Sequence, residues 1–236
     1  MIRMLLKDIE RDVSDLEVKN LRPSQQVNNY CYLIAGIELL LSCPYFLFFI
    51  LYYIHLDKLK YILEITRRQE DITPMCLSLA HYVETKNANE YAAMEHILMN
   101  SFDVRERGHQ EDSNILFLYF SKSYLFRLLF SWHYGSLTTK ILVAPFSIHL
   151  ILPKEVPERF RTVEEVMRTL MISDIPELYA ITVLCGNHYE VYQGKKMLPK
   201  NTRYLRGPWR QLTIFARSYV DGRPEFIQEI LQVIFQ

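Results

Sequence analysis

The chain has 236 residues, half of them hydrophobic, enough apolar material to bury a sizeable core and to exclude general disorder. Lys+Arg and Asp+Glu cancel at 27 each, so no overall field draws the protein to nucleic acid or to an acidic membrane surface. Its four cysteines, Cys31, Cys43, Cys76 and Cys185, are widely spaced with no CxxC pair, which fits neither a disulfide framework nor a Cys-rich zinc site and points to a reduced, intracellular setting.

Residues 1–17 are expected to form an amphipathic helical extension. Met1 to Asn20 mixes charge with Ile, Leu and Val and lacks the apolar core and small-residue cleavage site of a signal peptide. Arg22 to Tyr30 then holds Pro23, Ser24, Gln25, Gln26, Asn28 and Asn29, a polar loop that delivers the chain to a helix start. The stretch YLIAGIELLLS runs as a helix to Cys43 and stops at Pro44, which places Cys31 at the helix N-terminus.

Leu39 to Leu56 carries no formal charge for 18 residues, long enough to raise a membrane span. Pro44, Tyr45, Tyr52, Tyr53 and His55 interrupt its apolarity and Glu38 abuts it, so two buried helices broken at Pro44 are the preferred reading, and a membrane-anchored protein is the less favoured one.

Residues 59–102 read as helices broken near Glu70 to Pro74 and near Lys86 to Asn89, and Val104 to Ser113 as a charged loop. From residue 114 the texture turns to β-branched and aromatic runs, KILVAPFSIHLILP and the alternating LYAITVL among them, with one helix around Thr162 to Met171. The expected fold class is α+β in one domain over 18–236: a helical lobe at about 18–110 and an antiparallel sheet lobe at about 111–236.

Two residues stand out chemically. A thiolate is the reactive form of cysteine, and the unpaired N–H groups of a helix N-terminus stabilise it, which singles out Cys31. His188 follows Cys185-Gly186-Asn187 and opens HYEVYQ, a strand expected to pair with LYAITVL and to hold the imidazole rigidly. Read alone, Cys31 suits a core position and His188 an exposed hairpin end. No HExxH or similar spacing points to a metal, and no cofactor motif is present.

A cysteine at an early helix start and a histidine on a late strand follow the chain order of papain-like thiol hydrolases. NNYCYLIAGIELLLSCPYF resembles the cysteine signature of the ubiquitin-specific proteases, with Cys31 at the nucleophile and Tyr32 beside it. ELYAITVLCGNHYEVYQ is similar to that family's histidine signature, with His188 at the base and Tyr189 after it. NANEYAAMEHILMNSF and ILVAPFSIHLILP are similar to two further segments of the family, in the family's order.

The resemblance implies a papain-like architecture and a cysteine-type hydrolase of ubiquitin or ubiquitin-like conjugates, with Cys31 and His188 catalytic. It puts Gln26 where the family has an oxyanion-stabilising Asn, and Ala216 and Arg217 of FARSYV where the family carries the Asp or Asn that orients the histidine. Asn201, Ser218 or Asp221 are the candidates to stand in for that orienting residue. The family's zinc-bearing finger region has no counterpart: Trp132, His133 and Tyr134 lie where its first CxxC is expected, and Trp132, Tyr134 and Tyr189 become candidate substrate-binding walls. Such an enzyme would have ubiquitin or a ubiquitin-like protein as partner. The alternative is a catalytically weak or inactive module of the same fold that binds a partner protein.

Overall fold

The computed structural model describes residues 30–43, 45–47, 49–50, 72–102, 112–123, 126–127, 130–134, 146–151, 178–185, 188–193 and 211–217. The chain divides into two compact units, one of residues 1–126 and 224–236 and one of 127–223. Their described elements are helical in the first and β in the second, so the fold class is α+β.

The helical unit holds α1 (Cys31–Leu41), α2 (Thr73–Thr85), α3 (Asn89–Ser101) and α4 (Ile115–Phe120). Of α1, the nine residues Tyr32, Leu33, Ala35, Gly36, Ile37, Glu38, Leu39, Leu40 and Leu41 are all buried, so it runs through the centre of the unit. A helix apolar nearly all round, with Glu38 its one charged residue, is stable only when surrounded, and each of its fully buried leucines contributes about 2 kcal/mol of apolar transfer energy. α1 packs against α3 and α4, and α2 packs against α3.

The end of α1 follows from its sequence. Ser42 turns its hydroxyl back to donate to the Leu39 carbonyl at 2.5 Å, the Cys43 amide bonds Leu40 at 3.1 Å, and helical geometry resumes at residues 45–47. The chain thus leaves the helix just ahead of Pro44, whose ring cannot continue it. Among the described residues no helix is long and apolar enough to cross a membrane; residues 44, 48 and 51–56 of the uncharged run lie outside them. Phe46 and Phe49 instead join Phe117, Phe120 and Phe126 in an edge-to-face cluster, with Phe46–Phe120 and Phe117–Phe126 centroids each 5.1 Å apart.

α2 opens with Pro74 in its first turn, where a missing N–H costs nothing, and closes on Lys86 in the left-handed region at φ 56°. Asn87 then accepts the Asn89 amide at 3.0 Å and α3 begins, so the expected break near Lys86 to Asn89 is a tight helix hairpin. At the far end of α3, Lys122 donates to the Ser101 carbonyl at 3.2 Å and lies 4.7 Å over the Phe102 ring.

The position of α4 differs from the sequence expectation. ILFLYF reads like the first of the β-type runs, yet it is helical and packs on α1, so the helical part extends past residue 110 to Phe126. Ile115, Leu116, Phe117, Tyr119 and Phe120 are buried, and a six-residue run that is apolar throughout carries no periodicity to separate helix from strand.

The sheet unit holds β1 (Phe130–Tyr134), β2 (Phe146–Ile151), β3 (Leu178–Cys185), β4 (His188–Gln193) and β5 (Gln211–Arg217), in spatial order β1-β2-β5-β3-β4. β5 is central and antiparallel to both β2 and β3, and β3 and β4 form an antiparallel hairpin. The expectation of a wholly antiparallel sheet needs correction at one edge, where β1 and β2 pair in parallel. Side chains alternate in the same way in either pairing, so strand patterning does not encode the choice. The expected helix around Thr162 to Met171 and the extension at 1–17 lie outside the described residues.

The middle of the sheet is sealed on both faces. Ile181, Val183, Leu212 and Ile214 share one face and Ala180, Thr182, Thr213 and Phe215 the other, and all eight are buried. β1 and β4 are its two edge strands among those described.

Candidate functional site

Cys31 is the first residue of α1 and is half-buried. The first intrahelical bond runs from the Ile34 amide to the Tyr30 carbonyl at 2.9 Å, so Cys31 stands on the opening turn of the helix. Cys43 and Cys76 are unbridged thiols without solvent exposure, and the Cys185 side chain lies outside the described set. Among the described cysteines, Cys31 alone is not fully buried.

Tyr30, immediately before this thiol, has no capping bond to its own helix. Its hydroxyl donates to Glu95 Oε2 on α3 at 3.2 Å, and its ring lies 5.9 Å from that of Tyr91, one turn earlier on α3. Tyr91 in turn donates to the Tyr82 hydroxyl on α2 at 2.5 Å, with the rings 5.1 Å apart. Burial raises the pKa of both phenols; at Tyr82 the Tyr91 bond opposes that rise and the nearby Glu38 carboxylate adds to it, while at Tyr91 the bond and both neighbouring charges push further upward. The chain of Tyr30, Glu95, Tyr91 and Tyr82 ties the start of α1 to the α2–α3 hairpin. NANEYAAMEHILMNSF had drawn attention only for its family likeness; the signal for contact was the spacing of Tyr91 and Glu95, four apart and thus on one helix face.

On the exposed side of that hairpin a second cluster escaped sequence reasoning. Ser78 donates to Glu90 Oε2 at 2.7 Å, and His81 Nδ1 lies 2.7 Å from Glu90 Oε1. Burial works to raise the Glu90 carboxyl, but the Ser78 and His81 bonds and the charge of the ring outweigh it and hold its pKa below the usual range.

His188 is exposed and opens β4, where its Cα partner is Cys185 at the end of β3. Only residues 186 and 187 separate the two strands, so the hairpin fixes the backbone of His188, as the sequence led one to expect. Tyr189 follows with a bond that the sequence did not reveal: its hydroxyl donates to Gln211 Oε1 on β5 at 2.6 Å. Both residues register with Leu184, so the bond passes over β3 from one flanking strand to the other.

Not all the candidate residues come together. Successive residues of a strand point to opposite faces, so His188 and Tyr189 address different sides of the sheet. Trp132 and Tyr134 stand on β1, the opposite edge from β4, four strand spacings or roughly 19 Å away from the Tyr189 strand. Tyr189 and the 132–134 aromatics, expected to wall one cleft, thus stand on strands at opposite edges of the sheet, and strand order is not written in the local pattern of any single strand. Tyr189 also has its hydroxyl committed inside the sheet.

Ala216 and Arg217 are the last two residues of β5, paired with Ser147 and Phe146. Gln26, Asn28, Asn29, Asn201, Ser218 and Asp221 lie outside the described residues. Among the described residues no group of three or more His, Cys, Asp or Glu side chains is arranged to hold a metal ion. Cys31 belongs to the helical unit and His188 to the sheet unit. No family model, curated protein or solved structure matches this chain.

Proposed function

We propose that the protein is a cysteine-type hydrolase that cleaves after the C-terminal glycine of ubiquitin or a ubiquitin-like modifier, on a papain-like arrangement reduced to its helical and sheet parts. The observation that carries this reading is Cys31: a half-buried cysteine at the first residue of a buried eleven-residue helix, while Cys43 and Cys76 are sealed. An exposed imidazole at the start of a rigid hairpin strand, His188, supports it.

In this reading the Cys31 thiolate adds to the scissile carbonyl carbon, and the oxyanion takes a hydrogen bond from the Gln26 amide. The His188 imidazolium gives its proton to the leaving amine as the C–N bond breaks, leaving a thioester on Cys31. His188 then takes a proton from water, whose oxygen attacks the thioester carbonyl, and the free carboxylate and thiol are released. Asn201 or Asp221, with Ser218 as a third candidate, orients the ring. No cofactor or metal enters the scheme, and a reducing intracellular compartment keeps the thiol competent.

A second reading, a partner-binding module without turnover, draws on β5. Ala216 and Arg217 stand where the resembled family has its acidic residue, and neither side chain can accept a bond from the imidazole.

The deciding experiment treats wild type, Cys31→Ala and His188→Ala with ubiquitin and ubiquitin-like proteins carrying a C-terminal thiol-reactive group. The hydrolase reading expects a covalent adduct at Cys31 in the wild type, none in Cys31→Ala and slower formation in His188→Ala. Absence of an adduct with every modifier, with intact binding to one of them, would leave the binding module as the function.

A further inference from the structure

We propose that His81 is a phosphoryl-acceptor site: a surface imidazole oriented by Glu90, whose Nε2 takes a phosphoryl group from an acyl phosphate or a phosphoramidate. The site lies on the α2–α3 hairpin and uses neither Cys31 nor His188, so it stands apart from the hydrolase reading.

The arrangement is built from three side chains on two helices. Ser78 and His81 are three positions apart on α2 and thus on one face, and Glu90 stands in the first turn of α3. Ser78 donates to Glu90 Oε2 at 2.7 Å and His81 Nδ1 lies 2.7 Å from Glu90 Oε1, so each carboxylate oxygen holds one partner. Ser78 is buried and the Glu90 side chain is 16% exposed, whereas that of His81 is 54% exposed. The carboxylate is therefore the anchor, and the imidazole is the part that meets solvent. The backbone beneath is held as well: the Thr85 hydroxyl donates to the His81 carbonyl at 2.8 Å, and the Lys86 amide closes α2 on Tyr82.

That geometry sets the chemistry of the ring. An ionised carboxylate can only accept, and the Ser78 and His81 bonds keep Glu90 ionised, so the neutral His81 ring carries its proton on Nδ1 and its lone pair on Nε2, at the other edge. A carboxylate behind an imidazole fixes its orientation and makes the far nitrogen the stronger electron donor. A metal ion needs several such donors, and among the described residues no group of three His, Cys, Asp or Glu is arranged to hold one. An electrophilic phosphorus needs one. The Nε2 lone pair forms the N–P bond as the P–O bond of the acyl phosphate, or the P–N bond of the phosphoramidate, breaks and the leaving carboxylate or ammonia keeps the electron pair. No proton moves: Nδ1 retains its hydrogen, the ring becomes cationic, and Glu90 faces the new charge. Of the other charged groups at this end of α2, Glu84, one turn on, opposes the incoming phosphoryl and Lys86 at the helix end favours it.

His96 on α3 supplies a control within the same molecule. It is also exposed, but its Nε2 lies 3.2 Å from the Asn100 amide nitrogen, so the nitrogen that would attack is already engaged.

The test incubates the full chain at neutral pH with potassium phosphoramidate and, separately, with acetyl phosphate. Phosphorylation is read peptide by peptide by mass spectrometry under conditions that preserve N–P bonds, and phosphorus NMR identifies the ring nitrogen. His81 is expected to react at Nε2 about tenfold faster than His96, and Glu90→Gln to slow His81 about tenfold while leaving His96 unchanged. His81→Gln should remove the signal, and Cys31→Ala should react as the wild type does. Reaction with either donor supports the site, and the donor that reacts gives the class of its phosphoryl source. No reaction with both donors, equal rates at His81 and His96, or attachment at Nδ1 overturns the proposal, and these comparisons need no variant to fold. A Glu90→Gln protein that keeps the wild-type far-UV spectrum and the wild-type rate at His81 overturns it as well.

Discussion

Gly36 of α1 and Ser113 of the segment leading into α4 meet so closely that a Cβ built on Gly36 would lie 2.5 Å from the Ser113 carbonyl oxygen. The obstruction is backbone, which cannot swing aside as the end of a long side chain can, and Leu116 stands 3.5 Å away behind it. In a free helix, Gly36→Ala would gain about 1 kcal/mol of propensity. Here the contact decides the sign, and the substitution is expected to destabilise the helical unit by roughly 1–3 kcal/mol net. Far-UV ellipticity followed through urea unfolding measures it, and a variant as stable as the wild type would mean that α1 and α4 do not approach in this way.

Lys86 gives the opposite case. It is the only non-glycine residue with positive φ among those described, at 56°, and its amide bonds the Tyr82 carbonyl at 2.8 Å to close α2. A left-handed conformation costs a residue with a Cβ about 1 kcal/mol, and Lys86 is exposed, so nothing is lost from the core on its removal. Lys86→Gly is expected to stabilise the helical unit by about 0.5 kcal/mol, the strain relief less the extra entropy of the unfolded glycine. Lys86→Val at the same position should destabilise it, and the difference between the two melting temperatures reads the strain directly.

These two positions also mark how far local sequence carries the fold. The stop of α1 before Pro44, the break between α2 and α3 and the hairpin from LYAITVL to His188 were all legible, because each depends on the backbone preferences of a few adjacent residues. Cys31 was legible as a helix-start thiol for the same reason. What was not legible depends on partners distant in the chain. The helical state of ILFLYF goes with its packing on α1, and the parallel pairing of β1 with β2 with the order in which the strands meet in the sheet. The bonds from Tyr30 to Glu95 and from Tyr189 to Gln211 span 65 and 22 positions, and no spacing rule links such pairs.

Glu90 makes the stability of the helical unit sensitive to acid. Its carboxyl is held below the usual range by Ser78 and His81 against the opposing effect of burial, so its folded pKa is depressed relative to the unfolded chain. A depressed carboxylate contributes stability that is present above its unfolded value near ~4.3 and is lost as pH falls through the folded value. Melting temperatures of the wild type and Glu90→Gln, measured from neutral pH downward, should therefore differ most near neutrality and converge below about pH 4. At neutral pH the substitution is expected to cost on the order of 1 kcal/mol, since His81 is half exposed and its pairing is screened. A gap that stays constant down to acid pH would show that the Glu90 carboxylate is not stabilised in the folded state.

The Tyr189–Gln211 bond lends itself to measurement on the sheet unit alone, because both tryptophans of the chain, Trp132 and Trp209, fall within residues 127–223 and their fluorescence follows that unit. The bond is 2.6 Å long and Gln211 is 6% exposed, so removing one partner leaves a buried polar atom that has lost a bond. Tyr189→Phe is expected to lower the free energy of unfolding by about 1–2 kcal/mol, and Gln211→Met by a similar amount. Because each deletes the same bond, the double substitution should cost less than the sum of the two, with a coupling of about 1 kcal/mol. Strict additivity would mean that the two side chains do not meet.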